Sequence, residues 1–132
     1  MAVTVSKPSQ PWKSAPTRAD LDAANRYLSL LYPQAVARRL VRNLTRAETR
    51  RATAKDLLRA SNLALLSADE SHVKQDLKRI RKGKALPPVL LVRGDMSRGI
   101  PLLVADGYHR ICASCYFDED APVAYRIAPF PR

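Results

Sequence analysis

The chain has 132 residues, of which 46% are hydrophobic and 27% charged, so it can fold as one domain and is too apolar to be wholly disordered. No apolar run approaches the ~20 residues needed to cross a bilayer, and no signal-peptide core is present, so we expect a cytoplasmic protein without a membrane partner. The net charge of +11, most of it in residues 1–66, predicts an anionic partner.

The first 17 residues contain proline, serine and lysine and lack apolar periodicity. Because such a segment cannot offset the entropy of ordering, we predict a flexible tail over residues 1–17. Trp12 is the one large apolar group of this tail. It either docks on the folded body, stays unordered or serves as a handle for a partner.

Helical periodicity begins after Thr17. The apolar residues at helical spacing there are Leu21, Ala24, Leu28 and Leu31. Pro33 is placed to open a second helix, and the capping-box spacing of Thr45 and Glu48 predicts a further helix start at Thr45. We therefore predict a basic, all-helical region over residues 18–60.

Arginines recur every fourth residue in this region, at Arg38, Arg42, Arg46 and Arg50. On a continuous helix they would form a basic stripe that contacts the phosphates of DNA or RNA. A helix start at Thr45 would divide this stripe, and a solvated face on a basic protein is the alternative interpretation.

Strand and helix patterns alternate from residue 61 onward. The apolar run 63–66 predicts a strand, and the helix that follows has Gly83 placed to end it. The runs 89–93 and 100–105 predict a hairpin, and a helix and a last strand at 123–127 follow. The predicted fold class is α+β, with the helical region leading into a small mixed-sheet domain over residues 61–132.

A glycine-bearing turn, Asp106-Gly107-Tyr108-His109-Arg110, joins a predicted strand to a predicted helix. Such a turn presents free N–H groups and the positive end of the helix dipole to an anion. Gly107 would let the backbone approach, Arg110 would neutralise charge, His109 would donate or relay a proton, and Asp106 would orient the loop. The alternative is that Asp106 caps the helix while His109 and Arg110 face solvent.

This turn and the order of elements over about residues 63–127 resemble the ParB/sulfiredoxin superfamily. The matching turn contacts nucleotide phosphates in ParB-type proteins (Gly-Glu-Arg-Arg) and ATP in sulfiredoxins (Gly-Cys-His-Arg), and here it spans Gly107 to Arg110. The resemblance implies a phosphate site for ATP or CTP with magnesium, and it places Lys84 near the nucleotide. Tyr108 replaces the cysteine that sulfiredoxin catalysis needs, which argues against repair of oxidised cysteine.

Free serine kinases of the same superfamily resemble this arrangement and use a glutamate after the first strand as a general base. The matching loop contains Glu70, Asp69 and His72, so the resemblance implies that these residues transfer a proton or hold a magnesium ion bound to nucleotide phosphates. An ordinary helix cap is the alternative interpretation. A nucleotide-dependent switch, a hydrolase and a phosphotransferase therefore all stay open.

Cys112 and Cys115 share one helical face. A zinc site would need two more ligands. A redox pair is an alternative, because a helix N-terminus lowers the pKa of a thiol. The interpretation that we favour is that both cysteines are small core residues. No carboxylate cluster of a two-metal nuclease is evident, so we predict no metal centre formed by the protein alone.

The alternative functions are a basic DNA- or RNA-binding accessory protein and a non-catalytic protein that binds a partner chain or forms a homodimer.

Overall fold

The structure is a computed structural model that describes residues 10–131. These residues form five α-helices and one four-stranded sheet. The helices are α1 (Arg18–Leu31), α2 (Gln34–Arg46), α3 (Ala54–Ser61), α4 (Ser71–Arg81) and α5 (Tyr108–Phe117). The strands are β1 (Arg50–Thr53), β2 (Val89–Val92), β3 (Leu103–Asp106) and β4 (Pro122–Ala128).

The sheet is mixed, with the strand order β1-β4-β2-β3. Strand β4 pairs antiparallel with β1 and parallel with β2, while β2 and β3 form an antiparallel hairpin. A 3₁₀ turn, Met96–Arg98, lies in the hairpin connection. The α+β fold class and the hairpin are therefore confirmed.

Helices cover both faces of strand β2, which is buried at every position. Val89 and Leu91 pack in the cluster formed with α3, α4 and α5, and Leu90 and Val92 pack in the cluster formed with α1 and α2. Since successive side chains of a strand point to opposite faces, burial on both sides explains why β2 is continuously apolar. None of the helices within residues 10–131 is long and apolar enough to span a bilayer.

Helix α4 ends as the sequence predicts. Its last residue is followed by Lys82 and by Gly83, which has a φ of +73°. A backbone in this left-handed region favours glycine, and the Gly83 N–H donates to the Ile80 carbonyl at 2.9 Å.

The prediction that residues 18–60 are all helical is wrong at Arg50–Thr53, which form strand β1 against β4. The predicted helix start at Thr45 is also wrong, because α2 continues through this residue and its hydroxyl donates to the Val41 carbonyl at 2.8 Å. The capping box of this region lies instead at Thr17 and Asp20, at the start of α1. Pairing with a distant strand, invisible in the local pattern, decides the conformation of residues 50–53.

The predicted strand at 63–66 is also wrong, since this segment is irregular. Two tyrosine hydroxyls from α5 donate hydrogen bonds to backbone carbonyls of this segment. Tyr108 donates to the carbonyl of Ala64, and Tyr116 donates to the carbonyl of Leu66 at 2.7 Å. The segment therefore runs along α5 rather than joining the sheet.

Trp12 docks on the folded body. Its indole N–H donates to the Pro122 carbonyl at 3.1 Å, and its backbone forms a bridge with Leu86. The prediction of a flexible tail over residues 1–17 therefore does not hold for this residue, and residues 1–9 lie outside the described part of the chain.

Candidate phosphate site at the start of helix α5

The beginnings of α4 and α5 border a cavity of about 170 Å³. One wall of the cavity is a polar face of helix α4. The opposite wall is formed by the end of β3 and the first turn of α5. The lining residues are His72, Gln75, Asp76, Arg79, Asp106, Gly107, His109 and Arg110. The predicted turn and the predicted Glu70 loop thus meet at one place.

Gly107 is required for the geometry of the turn. Its φ is +105°, and a Cβ atom placed there would lie 2.6 Å from Cγ1 of Val89. Gly107 is also the N-cap of α5, and no side chain caps this helix among the described residues. The first N–H groups of α5 therefore start beside the cavity without a side-chain acceptor, which is the condition under which a helix N-terminus attracts an anion.

Arg110 has an internal role. Only 8% of the residue is exposed. Its Nη1 donates to the Pro87 carbonyl at 2.8 Å, and its Nη2 pairs with the Asp106 carboxylate and lies 3.6 Å from Oδ1 of Asp20. The expectation that Arg110 neutralises a bound phosphate is therefore not favoured, because carboxylates already balance its charge.

Asp106 is held by the same contact. Burial raises the pKa of its carboxyl group to about 6, against the opposing effect of the Arg110 guanidinium, and the nearby Asp20 carboxylate adds to the rise. The pair ties the end of β3 to the first turn of α5. This arrangement is compatible with the predicted role of Asp106 in orienting the loop.

Glu70 is the N-cap of α4. Its Oε2 accepts from the Val73 N–H at 2.9 Å, its Oε1 lies 3.0 Å from Nδ1 of His72, and Nε2 of His109 lies 3.8 Å from Oε2. The Val73 hydrogen bond and then the His72 hydrogen bond lower the pKa of Glu70 to about 2. Such a carboxylate is a weak base near neutral pH, so the expected role of Glu70 as a general base is not favoured.

Four predicted residues do not line this cavity, and Glu70, which contacts the lining histidines, is one of them. The Tyr108 hydroxyl donates to the Ala64 carbonyl, and Lys84 and Asp69 are exposed elsewhere. Besides Arg110, a second arginine lines the cavity: Arg79, which sequence reasoning missed. Its signal was available, because the lining residues of α4 follow the spacing i, i+3, i+4, i+7 that places side chains on one helical face.

The cysteines fit the core interpretation. Cys112 is fully buried and Cys115 is half-buried. Burial raises the pKa of both thiols, whereas a reactive cysteine requires a lowered one.

The predicted arginine stripe contains three arginines on α2 and ends where this helix ends, at Arg46. Arg38, Arg42 and Arg46 are exposed on α2, while Arg50 lies in β1, 3.8 Å from the Glu48 carboxylate. Because α2 continues through residue 45, the division of the stripe expected there does not occur.

A larger cavity, of about 600 Å³, lies over the sheet face that carries Leu91, Tyr125 and Ile127. Its walls are mostly apolar, and none of the predicted site residues lines it. Polar groups converge instead at the smaller cavity beside α5.

No protein-family model, curated protein or solved structure matches this chain. The resemblance to the ParB/sulfiredoxin superfamily therefore stays a prediction from the turn and the order of elements.

Proposed function

We propose that the protein binds the phosphates of a nucleoside triphosphate, ATP or CTP, at the start of α5. The observation that carries this proposal is the uncapped N-terminus of α5 beside a polar cavity that Arg79 and His109 also line. Backbone N–H groups, an arginine and an imidazole are donors that phosphate oxygens accept from in proteins.

The size of the cavity supports phosphate recognition over capture of a whole nucleotide. Ligand pockets that enclose a drug-sized molecule usually exceed about 300 Å³, and this cavity measures about 170 Å³. One or two phosphate groups would occupy it, and the nucleoside would lie outside on the surface. This arrangement favours a nucleotide-dependent switch over an enzyme that encloses its substrate.

Arg79 takes the charge-neutralising role that the sequence assigned to Arg110. Its Nη1 lies 3.2 Å from the Asp76 carboxylate, and about half of its side chain is exposed. The Asp76 side chain is only 13% exposed, so the pair is retained, but the Arg79 guanidinium carries further N–H donors that can contact a phosphate while Arg79 stays paired with Asp76.

The experiment is calorimetric titration with ATP, CTP and inorganic phosphate, with and without magnesium. The matched variants are Arg79→Ala and Lys78→Ala, which remove the same charge from adjacent residues, one in the cavity wall and one outside it. We expect the Arg79 variant to bind triphosphate roughly tenfold more weakly, the loss typical of a hydrogen bond to a charged group. The Lys78 variant should bind like the wild type. Absence of triphosphate binding, or equal weakening in both variants, would overturn the proposal.

A second candidate function is nucleic-acid binding by α2. Arg38, Arg42 and Arg46 are exposed on one face, span about 12 Å along the helix axis, and form no ion pair with a carboxylate among residues 10–131. Unpaired arginines on a regular helix are free to contact the phosphates of DNA or RNA.

The test of this second function is fluorescence anisotropy with duplex DNA and single-stranded RNA over a range of salt concentrations. Replacing Arg38, Arg42 and Arg46 with glutamine should abolish binding and flatten its dependence on salt, because each phosphate contact releases counterions. A control in which Lys78 and Arg81 of α4, both exposed and outside the phosphate cavity, are replaced should retain binding. A flat salt dependence in the wild type would rule this function out.

A further inference from the structure

The sequence contains two histidines, and the fold brings them together. His72 lies in the first turn of α4 and His109 in the first turn of α5, and their ring centroids are 4.7 Å apart. Glu70 lies between them: its two carboxylate oxygens are 3.0 Å from Nδ1 of His72 and 3.8 Å from Nε2 of His109. One ligand atom from each of these three residues lies within 4.8 Å of the other two.

These distances suit a single metal ion. Zinc binds imidazole nitrogen and carboxylate oxygen at about 2.0–2.2 Å, so two ligand atoms on a tetrahedral ion lie about 3.4 Å apart. The separations of 3.0 and 3.8 Å from Glu70 to the two histidines fall on either side of this value. These two separations involve different oxygens of Glu70, and one ligand atom from each of the two histidines and Glu70 lies within 4.8 Å of the others.

The local charges also favour a cation. The two arginines that line the neighbouring cavity already have partners, since Arg79 pairs with Asp76 and Arg110 pairs with Asp106. Glu70 forms no ion pair with a lysine or arginine among the described residues, and its contacts are with the histidines and with N–H and hydroxyl donors of α4. The carboxylate is therefore an anion without a permanent cationic partner.

Magnesium does not fit this ligand set. It prefers oxygen ligands in a near-octahedral arrangement, and the cluster offers two imidazoles and one carboxylate. Two histidines with one carboxylate and open positions are typical of zinc and of other divalent transition metals. The side chains of His72 and His109 are 66% and 42% exposed, so solvent or a ligand in the cavity can reach the remaining coordination positions.

We propose that Glu70, His72 and His109 bind one divalent transition-metal ion of the zinc class at the edge of the cavity between α4 and α5. This proposal departs from the expectation that the protein alone forms no metal centre. It does not depend on nucleotide binding, because all three ligands belong to the chain. The alternative is a helix cap in which Glu70 accepts from Val73 and His72 while the two imidazoles merely stack.

The experiment uses untagged protein and the metal alone, without nucleotide. Zinc affinity is measured by competition with a chromophoric chelator, and the visible absorption of bound Co²⁺ reports its ligands. We expect one ion per chain, no thiolate-to-cobalt charge-transfer band, and affinity for Zn²⁺ well above that for Mg²⁺. His109→Ala and His72→Ala should each weaken zinc binding by at least about tenfold, as loss of a ligand costs at least as much as loss of its outer-shell partner.

Gln75→Ala is the matched control, because Gln75 lines the same cavity and is outside the cluster. His109→Ala leaves the Glu70 cap of α4 intact. A loss of zinc affinity in this variant therefore reports the loss of a ligand and not damage to the start of α4. Failure to bind Zn²⁺ or Co²⁺, unchanged affinity in His109→Ala, or a thiolate band that disappears in Cys115→Ser would each overturn the proposal. Because no nucleotide is present, none of these outcomes depends on the phosphate site.

Discussion

Oδ1 of Asp20 lies 3.6 Å from Nη2 of Arg110, and this pair joins the first turn of α1 to the first turn of α5. The two helices pack on opposite faces of the sheet. Arg110 lies at the edge between them, where it also binds Asp106 and the carbonyls of Pro87 and Pro88. One buried guanidinium therefore connects α1, the entry to β2, the end of β3 and α5.

Arg110→Ala should strongly destabilise the fold. It removes the donor to two carbonyls and leaves the half-buried Asp106 without its cation; removal of one partner from a buried pair typically costs about 3–5 kcal/mol, and we expect a loss near the lower end of this range. Urea denaturation measures the change in the free energy of unfolding. Arg38→Ala, at an exposed position of α2, should change it by less than about 0.5 kcal/mol. Equal stability of the two variants would show that Arg110 has no structural role.

Gly107→Ala should cost more than Gly83→Ala. Both glycines have positive φ, and a left-handed backbone costs a side-chain-bearing residue about 1–2 kcal/mol. A Cβ atom at Gly83 would meet nothing within 4 Å, whereas one at Gly107 would overlap Val89. We expect the difference between the two variants, measured by urea denaturation, to be about 1–3 kcal/mol, the usual cost of overpacking. Equal costs would mean that the turn shifts freely away from Val89.

Glu70→Gln should alter the dependence of stability on pH. The folded-state pKa of Glu70, about 2, is below its ordinary value of 4.5, so the ionised carboxylate stabilises the folded state above pH 4.5. This contribution is lost as the pH falls from 4.5 towards 2. The excess stability of the wild type over the variant should therefore be largest near neutral pH and shrink on acidification. An excess that stays constant or grows as the pH falls would contradict the assigned direction of the shift.

Tyr116→Phe should loosen the segment 63–66. The lost hydroxyl donates to the Leu66 carbonyl at 2.7 Å, and a hydrogen bond of this kind contributes about 0.5–1.5 kcal/mol. Hydrogen exchange should accelerate in this segment and remain unchanged in the sheet. The control is Tyr27→Phe, since Tyr27 is equally exposed and its hydroxyl has no hydrogen-bond partner among residues 10–131. Similar exchange in both variants would show that Tyr116 does not hold the segment.

Local signals predicted the elements that depend on neighbours in the chain. The end of α4 at Gly83, the apolar strand β2, the hairpin and the start of a helix after Gly107 all follow from periodicity and turn chemistry within a few residues. The α+β class follows from their order. Such features need no knowledge of distant residues, because helix termini and turns are stabilised by contacts with residues close in sequence.

The tertiary structure alone decided the features that depend on distant residues. Strand β1 exists because residues 50–53 pair with β4, more than 60 residues later. Arg110 is internal because α1 brings Asp20 beside it, and Glu70 meets His109 because α4 packs against α5. A sequence pattern identifies which side chains can carry charge or bind a ligand, but the packing of helices on the sheet determines which of them are buried as partners and which remain exposed.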